Sequence, residues 1–99
     1  MIPKDLQVSN KPGVYIFKNK KGKVLYVGKA LNLKSRVAQY FSGQDKRPQI
    51  KNLVLEINSV ETIEVLSEIE ALILEANLIK KFLPKFNIKL TDDKDYLYI

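Results

Sequence analysis

The chain has 99 residues, of which 45% are hydrophobic and 28% are charged, so it has room for one domain with a single core. It contains neither cysteine nor histidine, which excludes disulfides, zinc sites built on those residues and histidine-based catalysis. A net charge of +6 favours a polyanionic partner, and without a long apolar run or a secretory signal pattern we expect a cytoplasmic protein.

The charge is unevenly distributed along the chain. Residues 1–50 hold eleven Lys and Arg against two Asp, a balance of +9, while residues 51–99 have a balance of −3. The first half is therefore the candidate phosphate-facing half. A solvated lysine-rich surface is an equally weighted alternative on composition alone.

Two β-favouring runs, at residues 14–17 and 24–27, surround the turn sequence Asn19-Lys20-Lys21-Gly22 and predict a β-hairpin. If a four-residue loop closes this hairpin, Lys18 pairs with Lys23 and Tyr15 lies directly opposite Tyr26. Both phenols then project from one face of the sheet. Taken singly, each tyrosine is more simply explained as a core residue.

The first helix is predicted to begin after Asn32, a candidate N-cap, and to end at Ser42-Gly43. Its apolar stripe consists of residues at helical spacing, namely Leu33, Val37, Tyr40 and Phe41. Arg36 lies at the border of this stripe, from where it can reach the edge of the sheet. Together with Lys29 and the two phenols, Arg36 would form a cluster of donors suited to a phosphate.

Gly28 separates the second strand from this helix. Without a Cβ it allows the backbone to bend or a ligand to approach closely, although a simple strand terminator is equally plausible.

Three further elements follow along the chain. Arg47-Pro48-Gln49 opens a second helix that continues through Leu53 and Leu55, and residues 60–66 alternate as a third strand. Residues 67–82 form the clearest helix, with Lys80 and Lys81 in its last turn and Pro84 beyond it.

Glu75 does not fit its position on this last helix. It projects from the middle of an apolar face made by Ala71, Leu74, Leu78, Ile79 and Phe82. A buried carboxylate costs several kcal/mol unless a cation, a metal or several donors compensate. A salt bridge, for example to Arg36, is the commoner explanation, and a metal site is the alternative.

The spacing of these residues resembles that of the GIY-YIG nuclease superfamily. Gly13-Val14-Tyr15 is followed, after ten intervening residues, by Tyr26-Val27-Gly28-Lys29-Ala30 and then by Leu33-Lys34-x-Arg36-Val37-x-x-Tyr40-Phe41. The run EALILEANLIKK at residues 70–81, with Pro84-Lys85-Phe86-Asn87, looks like one branch, UvrC, the incision subunit of bacterial nucleotide excision repair. The resemblance spans about residues 11–98 and implies an α+β fold, a small three-stranded antiparallel sheet surrounded by helices.

The resemblance also implies a chemistry, the hydrolysis of one DNA strand by water with a single divalent cation, Mg²⁺ or Mn²⁺. Glu75 would be the protein ligand of the cation, Tyr26 the general base, Tyr15 its companion, and Arg36 the residue that holds the phosphate. Positions that orient phosphate, water or Tyr26 would be Lys29, Tyr40, Asn87 and Gly28. Because an unperturbed phenol has a pKa near 10, positive groups must lower the pKa of Tyr26.

We therefore expect a single, monomeric N-terminal catalytic domain of a longer multidomain protein. It would make the 3′ incision near a lesion in damaged duplex DNA and would meet UvrB through parts outside this chain. One departure is Leu31, where relatives often carry a lysine, which removes one possible phosphate contact.

Two other functions remain open. The chain could be a stand-alone GIY-YIG nuclease for restriction, homing or junction cleavage, or a non-catalytic DNA-binding clamp. Glu75 argues against the clamp, because a carboxylate beside phosphate would repel DNA.

Overall fold

Three antiparallel strands and three helices make up residues 8–43 and 47–87, the part of the chain that a computed structural model describes. The sheet contains β1 (Gly13–Lys18), β2 (Val24–Ala30) and β3 (Ser59–Glu64) in the order β2-β1-β3, so β2 and β3 are its edges. The helices are α1 (Leu33–Phe41), α2 (Pro48–Glu56) and α3 (Glu68–Phe82). The predicted sheet with surrounding helices is confirmed, and the tail after Asn87 lies outside the described residues.

The helix ends follow the predicted signals. The Asn32 side chain accepts a hydrogen bond of 3.0 Å from the Ser35 N–H, which confirms it as the N-cap of α1. β3 ends two residues before the predicted end, since Leu66 belongs to the cap of α3. Its N–H donates to the Glu70 carboxylate over 2.9 Å, while the Ser67 hydroxyl accepts from the Glu70 N–H over 3.2 Å.

The hairpin has a different register from the predicted one. The Asn19 N–H donates to the Lys23 carbonyl over 2.9 Å, so residues 20–22 form a three-residue loop in which Gly22 has a φ of 82°. The pairing shifts by one more residue between Phe17 and Lys18. The predicted pairs of Lys18 with Lys23 and of Tyr15 with Tyr26 are therefore wrong.

The residue opposite Tyr15 is Gly28, and Tyr26 is opposite Phe17. Because the two shifts of one residue add to two, the period of the pleat returns both phenols to the same face of the sheet, as predicted. The Tyr15 ring lies across Gly28, where a Cβ would overlap the phenol carbon and oxygen. Gly28 thus provides space for a side chain of this protein.

The sheet separates two apolar clusters. One contains aromatic residues of β1 and the buried side of α1, with Tyr15, Phe17, Leu33, Val37 and Phe86 among its members. The other lies beneath α3 and is built from Val14, Ile16, Val24, Val27 and Ala71. The two faces of β2 therefore point to different helices, and its outer edge lies between them.

α3 is apolar on more than its inner face. Ala71 is buried and Leu74 is half-buried against the sheet, whereas Ile69, Ile73 and Phe82 are exposed. Phe82 was predicted to share the buried face, and it lies at the solvated end of the helix instead. Among the described residues, no helix is both long and apolar enough to cross a membrane.

Gly28→Ala should destabilise the domain by about 1–3 kcal/mol, because the added methyl group overlaps the Tyr15 ring. Urea unfolding measures this cost. In a Tyr15→Leu background, whose shorter side chain leaves Gly28 uncovered, the same substitution should cost much less. An equal cost in both backgrounds would show that the overlap with Tyr15 is not the cause.

Candidate active site

Three phenols meet on the face of the sheet that α1 covers. Tyr15 is only 2% exposed, and its hydroxyl forms a hydrogen bond of 2.8 Å with that of Tyr40. The Tyr26 ring centroid lies 6.1 Å from that of Tyr15 and 6.1 Å from that of Tyr40. The structure thus places Tyr15 beside Tyr26, in agreement with the predicted neighbourhood, and adds Tyr40 as the hydrogen-bond partner.

Tyr15 is held in its neutral form. Burial raises the pKa of its phenol well above the ordinary value, and the neighbouring Tyr40 and Tyr26 raise it further, while the Arg36 charge lowers it. A protonated hydroxyl in contact with Tyr40 can donate or accept a hydrogen bond but cannot remove a proton from water. Tyr26, which is half-buried, is the more accessible phenol of this pair.

The predicted phosphate ligands Lys29 and Arg36 line one cleft of about 160 Å³. The other residues that line this cleft are Ala30, Leu31, Glu68 and Ala71. Arg36, exposed on α1, acts electrostatically on Tyr15 as well, so it connects the phenols with the cleft. Leu31 is 63% exposed at this position and presents an apolar side chain to any ligand.

Glu75 approaches β2 from α3. Burial raises the pKa of its carboxyl, while the positive charge and the backbone N–H of Lys29 act in the opposite direction. The carboxylate is therefore only partly compensated by the protein. Within residues 8–43 and 47–87 no salt bridge joins it to Arg36, and the ion pairs found there, Lys18 with Glu61 and Lys85 with Glu56, involve neither residue.

This donor set can be compared with what metal ions require. The described residues contain no group of three acidic, His or Cys side chains that could enclose a metal. A single half-buried carboxylate beside an open cleft fits a hard cation such as Mg²⁺, which keeps several waters and shares its remaining ligands with a phosphate. It does not fit zinc, which needs three or four protein ligands.

Asn87 is buried behind β2. Its side-chain oxygen accepts from the Val27 N–H and its side-chain nitrogen donates to the Val27 carbonyl, both over 2.8 Å. We predicted that Asn87 orients phosphate, water or Tyr26. Both bonds hold the backbone of the residue next to Tyr26, and the predicted role of Asn87 stays a prediction.

The structure thus groups the predicted residues into a row. The phenols Tyr15, Tyr26 and Tyr40 are followed by Arg36, then Lys29, then Glu75. Gly28 leaves room for the Tyr15 ring, and Asn87 bonds the Val27 backbone at the outer edge of β2. Glu68 was missed by the sequence reasoning. A signal for it exists, since Glu68 precedes Glu75 by seven residues and thus lies on nearly the same face of α3.

The comparisons with known proteins all point to one family. A model of the UvrC-like GIY-YIG domain matches residues 11–88. The chain is 53% identical over 88 residues to the UvrABC system protein C of Caldicellulosiruptor saccharolyticus, covering 89% of this chain and 15% of that protein. It is 59% identical over 87 residues to the protein of the same name from Protochlamydia amoebophila, covering 87% and 14%.

Solved structures agree with the sequence relatives. The magnesium-bound N-terminal GIY-YIG endonuclease domain of UvrC from Thermotoga maritima superimposes with a TM-score of 0.73 and 46% identity, covering 82% of this chain and 88% of that one. A point mutant of the same domain, bound to its catalytic divalent cation, has a TM-score of 0.73 and 47% identity, covering 82% and 87%. The chain spans about 15% of the length of the first of its full-length relatives.

Glu75→Gln should stabilise the metal-free domain at pH 7. Burial raises the pKa of Glu75 in the folded state, so its ionised form costs stability at pH values above that pKa, and glutamine avoids this cost. The advantage should shrink as the pH falls through the raised folded-state pKa of Glu75, and it should vanish below about 4.5, the ordinary carboxyl value, where the group is protonated in both the folded and the unfolded chain. Urea unfolding in EDTA at both pH values measures it. An exposed control, Glu64→Gln, should show no such advantage.

Asn87→Asp should cost about 2 kcal/mol at pH 7, because a carboxylate oxygen then faces the Val27 carbonyl without a proton to donate. The deficit should narrow in acid, where a protonated carboxyl can donate again. Urea unfolding as a function of pH measures this difference. A deficit that does not change with pH would mean that the lost donor is not the cause.

Proposed function

Because the chain belongs to the family of UvrC-like GIY-YIG endonuclease domains, we propose that it hydrolyses one DNA strand with the help of a divalent cation, Mg²⁺ or Mn²⁺. The partly compensated Glu75 carboxylate beside a cleft lined by Lys29 and Arg36 is the observation that carries this proposal. A carboxylate in that position has a use when a cation bridges it to a phosphate. A passive DNA clamp has no such use for it.

The roles of the residues follow from their positions. Arg36 and Lys29 hold the scissile phosphate in the cleft and neutralise the charge that develops on its oxygens. Glu75 is the protein ligand of the cation, which supplies Lewis acidity at the phosphate when bound. The direct bonds from the protein to the substrate therefore come from α1 and β2, and the metal ligand from α3.

Tyr26 accepts the proton of the attacking water. Tyr26 is half-buried, as is Tyr40, whose hydroxyl is bonded to that of Tyr15, while the buried Tyr15 is kept neutral by its surroundings. The positive charges of Arg36, Lys29 and the cation supply the electrostatic stabilisation that a phenolate needs. Tyr15, bonded to Tyr40, packs beside the Tyr26 ring, and Asn87 holds the neighbouring Val27, so the base is fixed from both sides.

The biological reaction that fits this domain is the 3′ incision near a lesion in bacterial nucleotide excision repair, in the cytoplasm. The curated relatives are UvrABC system proteins C, of which this chain spans a small part. The chain would be a single N-terminal domain, monomeric by itself, with damaged duplex DNA as substrate and UvrB as a partner of the other parts. Restriction, homing or junction cleavage is disfavoured by the family match over residues 11–88.

Substitutions in the full-length protein, assayed with the damage-recognition subunits on lesion-containing duplex, test this function. Tyr26→Phe should lower the 3′ incision rate by about 10²–10⁴-fold, the range for loss of a general base. Arg36→Gln should lower it by about 10²–10³-fold, as for loss of a charge-stabilising donor. Glu75→Gln should abolish incision, and added Mg²⁺ should not restore it.

Lys18→Gln is the matched control for Arg36→Gln, since it removes one positive charge from a strand that does not line the cleft. It should leave incision within about twofold of the parent rate, the small effect expected for a charge that is already paired with Glu61 and lies away from the cleft. Full incision activity in Glu75→Gln would refute the proposed metal site. Equal losses in Lys18→Gln and Arg36→Gln would show that only net charge matters.

A further inference from the structure

Glu68 brings a negative charge into the cleft that holds the two candidate phosphate ligands. It lies in the first turn of α3 and lines the cleft together with Lys29 and Arg36. Among the residues that the structure describes, no salt bridge connects Glu68 to either cation. The Glu68 carboxylate therefore lines the cleft, and its charge is not neutralised by a salt bridge to Lys29 or Arg36.

Glu68 and Glu75 have separate roles. Seven residues span about 10 Å along a helix, so the backbone positions of Glu68 and Glu75 are about two turns apart. Glu75 lies next to Lys29 without lining the cleft, while Glu68 lines the cleft together with Lys29 and Arg36. A single ion bound by both carboxylates does not follow from this arrangement.

We propose that Glu68 is a specificity-determining residue that weakens DNA binding until a cation is bound at Glu75. Lys29 and Arg36 alone would give the cleft two positive charges, which attract any phosphate of any DNA. Glu68 lowers the net charge of the cleft lining to +1, and Glu75 beside Lys29 lowers that of the whole site to zero. A divalent cation at Glu75 then restores a strongly positive site, so that tight binding of the phosphate coincides with the presence of the catalytic ion.

This inference rests on the proposed nuclease function and concerns the same site. Its measurement is the affinity of the protein for a short fluorescein-labelled duplex, by fluorescence anisotropy, in EDTA and in Mg²⁺. Glu68→Gln should bind the duplex about fivefold more tightly in EDTA, as expected for removal of one unit charge within a few ångströms of a phosphate. In Mg²⁺ the gain should be smaller, so that the stimulation of binding by the cation falls.

The matched control is Glu70→Gln, which removes the same charge from the same turn of α3. Glu70 does not line the cleft, and its side chain accepts a hydrogen bond from the Leu66 N–H that glutamine can also accept. Its affinity in EDTA should stay within about twofold of the parent, since its exposed carboxylate is bonded to the Leu66 N–H outside the cleft and is screened by solvent. Glu68→Asp, which keeps the negative charge, should bind the duplex with the parental affinity.

Unchanged binding by Glu68→Gln would overturn the proposal. Weaker binding would overturn it as well, because Glu68 would then help to position Lys29 and Arg36 for the phosphate. A gain of equal size in Glu70→Gln would also overturn it, since the effect would then come from net charge. Arg36→Gln separates this inference from the proposed function. If Arg36→Gln binds as the parent does, the phosphate site itself is wrong, whereas a loss there with no gain in Glu68→Gln removes only the role of Glu68.

Discussion

Two hydrogen bonds of 2.8 Å between the Asn87 amide and the Val27 backbone hold the outer edge of β2. An edge strand presents unpaired backbone groups, and a buried amide satisfies one N–H and one carbonyl of β2 without another strand. Val27 lies between Tyr26 and Gly28, so the Asn87 side chain also fixes the backbone position of these two neighbours. Within residues 8–43 and 47–87, the site therefore lies along an edge of the sheet that pairs with no further strand.

The same edge lies where the two faces of the sheet meet. The phenols belong to the face under α1, and Glu75 comes from α3 on the opposite face, so neither face alone contains the site. Lys29, at the end of β2, is the residue that connects them, because it shares a cleft with Arg36 and acts on the Glu75 carboxylate. A nuclease site of this kind needs few metal ligands from the protein, since water and the substrate supply the others.

Burial raises the pKa values of one phenol and one carboxyl group of the site. Burial keeps Tyr15 neutral, and burial also opposes the ionisation of Glu75, which Lys29 partly restores. The structure therefore contains one phenol that is fixed as a hydrogen-bonding group and one carboxylate that gains from a nearby cation. Groups whose pKa values are shifted by burial and by specific neighbouring charges are characteristic of functional sites.

Helical periodicity, caps and motif spacing are local properties of the chain, so they were enough to predict the elements, the family and the unusual position of Glu75. The sequence could not determine the hairpin register, since a three-residue loop and a shift at Phe17 depend on how Asn19, Gly22 and the neighbouring strands pack. It also could not show that Tyr40 bonds Tyr15, that Asn87 bonds Val27 or that Glu68 shares a cleft with Arg36. These contacts join residues far apart in the chain, and only the packing of α1 and α3 on opposite faces of the sheet brings them together.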